Sequence, residues 1–235
     1  MIRTDFNTYA KKHFGVTDTQ FRDWEVLQSQ IYNNVMVTGS LTPYVLEERE
    51  LRVTQIDIFS RMMLDRILWL AGPVNDRMST VVQAQLMFLD NQESKDITIY
   101  VDTPGGSVKS GLSIVDTMNY VSSDIITINT GMAASMGSIL LGAGTKGKRY
   151  SLPSSKVMLH QVSAGTEGNI QDMRVSMEES EKYNNDLFKM LGEYTGKAPE
   201  VVMKDAERDF WLTAEEALAY GIIDGIVKNK PKGRK

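Results

Sequence analysis

Four β-rich runs, ILWLAG (67–72), DITIYVD (96–102), IITINTG (125–131) and KVMLHQV (156–162), recur roughly 30 residues apart, the repeat of a βαβ unit. Between them, NDRMSTVVQAQLMFLDNQ (75–92) and GSVKSGLSIVDTMNYV (106–121) alternate apolar and polar residues at helical period, each opened by Asn or Gly. The alternation predicts an α/β fold in which crossover helices link the strands.

Outside this rhythm the pattern changes. Phe21, Trp24, Leu27 and Ile31 predict a short amphipathic helix over 19–32, ahead of the polar pair Asn33 and Asn34. The charge-rich LEERELRV (46–53) has few apolar anchors and reads as a mobile or strand-like connector, with the compact core starting near Ile56. From 169 to 193 the composition stays helical, but its centre, EESEKYNND, has almost no apolar face. Such a helix is either a surface helix or an assembly arm leaving the domain body. Near the C-terminus, Thr213 and Glu216 form a capping box, and Gly221 stops the helix before IIDGIV.

Composition narrows the function. The 235 residues, 42% of them apolar, can bury a substantial core, and we expect one globular domain with additions. A formal net charge of −4 offers no clustered Lys and Arg for a polyanion, so nucleic acid is not an expected partner. The basic run KNKPKGRK (228–235) reads as a solvated tail. Absence of cysteine removes disulfides, thiolate nucleophiles and thiolate-bound zinc together. With only His13 and His160, a multi-histidine metal site is disfavoured, while carboxylate-bound Mg²⁺ stays open by counting. The expectation is chemistry without a metal or cofactor. No secretory or transit signal and no apolar run of membrane-spanning length is present, so a soluble, cytoplasmic protein without membrane contact is expected.

Candidate chemistry begins at GMAASMGS (131–138). Ser135 there is either a nucleophile on a strand-to-helix elbow or a small residue that packs or caps, and the hydrolase elbow would have Gly where this chain has Ala133. A serine nucleophile needs a base. His160, ending the strand-like KVMLH, is the candidate; the alternative is a core histidine satisfied by hydrogen bonds. The base needs an orienting acid, and residues 136–159 contain no Asp or Glu, which excludes the chain order of the α/β-hydrolases. Asp209 in ERDFWL is the candidate, read as the end of a charged helix, partly buried beside Phe210, Trp211 and Leu212. For the oxyanion, DTPGGSV (102–108) offers a turn in which Gly105 and Gly106 let backbone N–H groups approach a substrate. A phosphate cradle is the weaker reading, because neither a P-loop Lys-Ser/Thr nor a full G-x-G-x-x-G follows.

Taken in order, IDIFSRMMLDRILWLAGPVND, YVDTPGGSVKSGLSIVDTM, GMAASMGSILLGAGTKGKRYSLPSSKVMLHQ and ERDFWLTAEEALAYGIIDGIV resemble the motifs of the ClpP peptidase family, over about Leu41 to Val227. The resemblance implies Ser135 as nucleophile, His160 as general base and Asp209 as orienting acid, with oxyanion donors from the backbone of Gly106 and Met136. It implies a ClpP/crotonase-like fold of repeated ββα units with a protruding handle over about 163–193. It further implies a serine endopeptidase of unfolded polypeptides, a homo-oligomer of two stacked heptameric rings around a closed chamber. An ATP-consuming AAA+ unfoldase such as ClpX would feed it, docking at pockets that include Met87, Tyr100 and Tyr120. Glu207 and Arg208 resemble a pair that couples ring contact to catalytic alignment. The alternative that the fold alone would permit is a crotonase-like acyl-CoA enzyme. A noncatalytic ring subunit is the third reading, disfavoured because all three triad positions are filled.

Departures from the family pattern are Met132 for Gln in the serine motif, Val162 for the Pro after His-Gln, and Thr98 where an aromatic is common. The expected organisation is an N-terminal extension over 1–40, an axial segment over 41–55, the peptidase domain over 56–230 and a basic tail over 231–235. The extension is read as a propeptide trimmed near SLTPYV or as an axial appendage.

Overall fold

The computed structural model describes the backbone of residues 44–49 and 52–227, and the side chains of residues 56–227. Nine strands and seven helices occur among these residues, in two compact units that divide between Ile58 and Phe59. In the first unit, β1 (Tyr44–Arg49) and β2 (Arg52–Asp57) pair antiparallel, from Tyr44 opposite Asp57 to Arg49 opposite Arg52. The strand-like reading of the 46–53 connector fits this hairpin. The helix expected over 19–32 lies outside the described residues.

The second unit opens within α1 (Ile58–Leu64), which leads to β3 (Ile67–Ala71) through Arg66, a non-glycine residue at φ 62°. The Arg66 guanidinium donates to the carbonyls of Leu89, Lys95 and Asp96 and to the Ser123 hydroxyl, which fixes the otherwise unfavourable turn. Then follow α2 (Asp76–Gln92), β4 (Ile97–Thr103), α3 (Val108–Tyr120) and β5 (Ile125–Ala134). After α4 (Met136–Gly142) come β6 (Arg149–Ser151) and β7 (Lys156–Leu159). The chain closes with α5 (Ile170–Thr195), α6 (Pro199–Asp205), β8 (Phe210–Leu212), α7 (Ala214–Tyr220) and β9 (Gly225–Ile226).

The sheet runs β3-β4-β5-β6-β9, every neighbouring pair parallel, as crossover helices require. Strand β5 is shared. Its Thr127–Asn129 stretch pairs with β6, and its end, Met132–Ala134, pairs with β7. Asn129 sits at the split: its side-chain amide donates to the Lys156 carbonyl at 2.9 Å, and its own carbonyl accepts from Leu152. On the far side of β7, β8 pairs antiparallel, with Leu159 opposite Phe210.

The core gathers Leu68 and Leu70 of β3, Ile97, Ile99 and Val101 of β4, Leu86 and Leu89 of α2, and Ile114 and Val115 of α3. Alternation along β4 follows the two-residue period of a strand, because successive side chains face opposite sides of the sheet. Helix α4 is buried all round, consistent with its run MGSILLG, and packs on β4 and β5. Helix α5 has two halves. Its first turns are largely exposed, including Ile170 and Val175, whereas Phe188, Leu191 and Gly192 are buried. The capping box of Thr213 and Glu216 and the left-handed stop at Gly221 bound α7 as the sequence predicts.

Candidate active site

The strand registers bring the candidate residues to one edge of the sheet. Ala134 pairs with Met158 in parallel, so Ser135 and His160 both leave the C-terminal ends of neighbouring strands. That edge is where open parallel sheets place their ligand sites. Because β8 is antiparallel to β7, with Leu159 opposite Phe210, the next residue outward from each strand is His160 on one and Asp209 on the other. Thr103 of β4 pairs with Ala133, so the Pro104–Ser107 turn runs beside the Ser135 elbow.

At Ser135 the backbone takes φ 54° and ψ −124°, a conformation that costs a non-glycine residue about 1–3 kcal/mol. Three hydrogen bonds hold it there. Ser135 N–H donates to Met158 O at 2.9 Å, while Ser138 donates to Ser135 O from its amide at 2.9 Å and its hydroxyl at 2.7 Å. Helix α4 adds Met136, Ile139, Leu140 and Leu141, all buried, each worth about 1.5–3 kcal/mol. Burial therefore outweighs the strain severalfold, and the turn stays. The Ser135 side chain caps no helix amide, which leaves the hydroxyl free for another role. The packing-or-capping alternative thus loses its capping half.

In the adjoining turn, Gly105 has φ 92° and Gly106 φ 147°. A side chain at Gly105 would lie 2.6 Å from Ser135 Cβ and 2.9 Å from Met136 N, and one at Gly106 would strike Val74 O at 2.3 Å. Close approach and left-handed backbone both demand glycine at Gly105. Gly105 N–H is taken by Thr103 Oγ1 at 3.1 Å, and Ser107 N–H by Val74 O at 2.9 Å. Pro104 has no N–H, so the turn's remaining donor is Gly106. Met136 N–H is the first amide of α4, which helix geometry leaves without an intrahelical acceptor.

Ser135, His160, Gly106 and Met136 line one cavity of about 250 Å³. Its apolar wall is Val108, Ile139, Leu187, Phe188 and Leu191, and Asn184 is a polar group among them. Residues 160–163 also border a more open hollow of about 510 Å³, together with Glu207, Arg208 and Asp209. His160 Nδ1 stands 3.7 Å from Asp209 Oδ1, within ion-pair reach but beyond a hydrogen bond. Asp209 differs from its expected setting. Helix α6 ends at Asp205, and Asp209 sits in the following loop with its side chain 64% exposed, so it is neither helical nor partly buried. The apolar residues beside it belong to β8, where Trp211 itself is exposed.

These features agree with a comparison against known families, in which the sequence model described as Clp protease matches residues 48–230. The chain belongs to the Clp protease family. It is 46% identical to the ATP-dependent Clp protease proteolytic subunit of Bacteroides fragilis YCH46 over 227 residues, covering 96% of this chain and 99% of the relative. The subunit of the same name from Porphyromonas gingivalis is 44% identical over 229 residues, with coverages of 97% and 99%. That of Streptococcus pyogenes serotype M5 is 50% identical over 192 residues, with coverages of 80% and 98%. As a member of the Clp protease family the chain is an enzyme, a protease. The crotonase-like reading therefore falls.

Of the other positions singled out in the sequence, Met87, Tyr120, Glu207 and Arg208 are exposed and Tyr100 is half-buried. Met87 is 50% and Tyr120 80% exposed, so neither side chain belongs to the core. Tyr100 lies against Trp69 with ring centroids 5.0 Å apart. Among the described residues, no cluster of three metal-ligating side chains occurs and no helix is long and apolar enough to cross a membrane. Sequence reasoning missed the cavity's wall. Asn184, Leu187, Phe188 and Leu191 share one face of α5 at i, i+3, i+4 and i+7 spacing, a stripe overshadowed by the polar residues before it.

Proposed function

We propose that the chain hydrolyses peptide bonds of unfolded polypeptides with Ser135 as nucleophile, His160 as general base and Asp209 as the acid that orients it. Ser135 Oγ attacks the scissile carbonyl while His160 takes its proton and later gives it to the leaving amine. The developing oxyanion is held by the N–H groups of Gly106 and Met136. Water then repeats the sequence against the acyl-enzyme, releasing the acid product and restoring Ser135. No metal or cofactor takes part.

One observation carries this reading: a strained Ser135, free of capping duty, opens into the same cavity as His160 and the two unspent amides. The apolar wall of that cavity suits an apolar side chain next to the scissile bond. In the same reading two heptameric rings stack around a closed chamber in the cytoplasm, and an unfoldase of the AAA+ class threads substrates in. Met87, Tyr100 and Tyr120 receive its loops. Glu207 and Arg208, which line the hollow shared by His160 and Asp209, transmit ring contact to the triad and close the 3.7 Å gap.

The test compares wild type with Ser135→Ala. Wild type should react with a fluorophosphonate at Ser135 and cleave a fluorogenic peptide, and the variant should lose labelling and at least about a thousandfold in kcat. Labelling elsewhere, or unchanged hydrolysis by the variant, defeats the proposal; assembly size, measured in parallel, separates a dissociated sample from an inactive one.

A further inference from the structure

Just after His160 the chain runs from Gln161 to Ser163 along the cavity without joining a helix or strand. Among the described residues a single hydrogen bond anchors it: Val162 N–H donates to Asn184 Oδ1 at 2.9 Å, across 22 residues of sequence. The amide donor fixes which end of the Asn184 side chain faces Val162, since only the oxygen accepts. Asn184 itself lines the cavity that contains Ser135 and His160, and three residues further along α5 begin the apolar wall of Leu187, Phe188 and Leu191. The rest of α5's inner face is thus committed to packing, and Asn184 is its polar end.

We infer that Asn184 is a positioning residue for peptide binding: it holds Gln161–Ser163 open beside the Ser135 cavity as a firm edge for an extended peptide. The inference rests on the peptidase reading of that site. An extended peptide binds by pairing its main chain with an exposed backbone edge, and such an edge must be ordered before it can pair. Without a ladder of its own, this segment's order depends on the one side chain that reaches it. His160, two residues away, is separately tied to β7 through Leu159, so loosening the edge weakens peptide binding more than the proton transfer. The bond also gives Val162 its acceptor, which a Pro at that position would not need.

The test uses the full chain in its assembled state, with Asn184→Ala and Asn184→Asp, the second retaining an acceptor oxygen. Amide hydrogen exchange over 161–163 should quicken in Asn184→Ala and stay near wild type in Asn184→Asp. With a fluorogenic peptide, Asn184→Ala should raise KM about three- to tenfold while kcat and fluorophosphonate labelling stay within about twofold, and Asn184→Asp should recover most of the loss. Unchanged exchange, an unchanged KM, a fall in kcat and labelling at constant KM, or an Asp variant as impaired as the Ala variant overturns the inference. A wild type that neither labels nor cleaves overturns the peptidase reading and the peptide-binding role with it, and the exchange experiment then judges the anchor alone.

Discussion

Ser135 and Gly105 meet at the tightest point of the proposed site, where the backbone of one residue limits the side chain of the other. Adding a methyl group at Gly105 would crowd Ser135 Cβ at 2.6 Å and Ala134 O at 2.7 Å while forcing a non-glycine residue to φ 92°. Gly105→Ala should therefore cost about 2–4 kcal/mol of stability and displace the elbow, so that fluorophosphonate labelling falls further than the loss of folded protein accounts for. Circular dichroism melts alongside labelling rates check this. Legibility at this scale was uneven. His160 stood out because the chain has only two histidines, Ser135 drew attention through the small residues of its strand-to-helix elbow rather than through scarcity, and the Gly-Gly turn announced itself by composition. Asp209's exposure did not, because burial depends on where a loop falls after α6 ends, and no local pattern encodes that. Asn184 was hidden for the opposite reason: its neighbours Glu181, Lys182 and Asp186 made the helix read as uniformly polar.

The long strands and helices were legible through period alone. Their runs are long enough for the two-residue and 3.6-residue patterns to be distinguished, as α2, α3 and β5 illustrate. Short elements such as β6, β8 and β9, of three, three and two residues, were not, since their pairing is decided by partners far away in sequence. One such partnership supports the last strands. Arg149 of β6 donates to both carboxylate oxygens of Asp224, at 2.8 and 2.6 Å, and to the carbonyls of Tyr194 and Gly221, tying β6 to the end of α5 and the turn before β9. Burial pushes the Asp224 carboxyl up, but the Arg149 hydrogen bonds and charge, with the Gly147 amide, outweigh it and hold the group below its ordinary 3.8. A depressed carboxyl contributes stability above its unfolded value and loses it as pH falls through the lowered folded value. Asp224→Asn should thus lower stability by about 2–3 kcal/mol at neutral pH and flatten the loss of stability below about pH 4, read from urea titrations across that range.

For the whole molecule, the proposed assembly turns on residues that a single chain leaves exposed. Glu207 and Arg208 face solvent here yet border the hollow shared by His160 and Asp209. Arg208→Ala should reduce the large species in sedimentation velocity and peptide hydrolysis in parallel, whereas an intact and fully active assembly would refute the coupling. The order of the strands has one more consequence, for the making of the protein. The elbow at Ser135, the proposed base His160 and the proposed acid Asp209 are delivered in that sequence, and β8 must emerge and pair with β7 before Asp209 can stand beside His160. A ribosome-bound chain that has not reached β8 holds no complete triad, so the proposed protease is silent through most of its own synthesis.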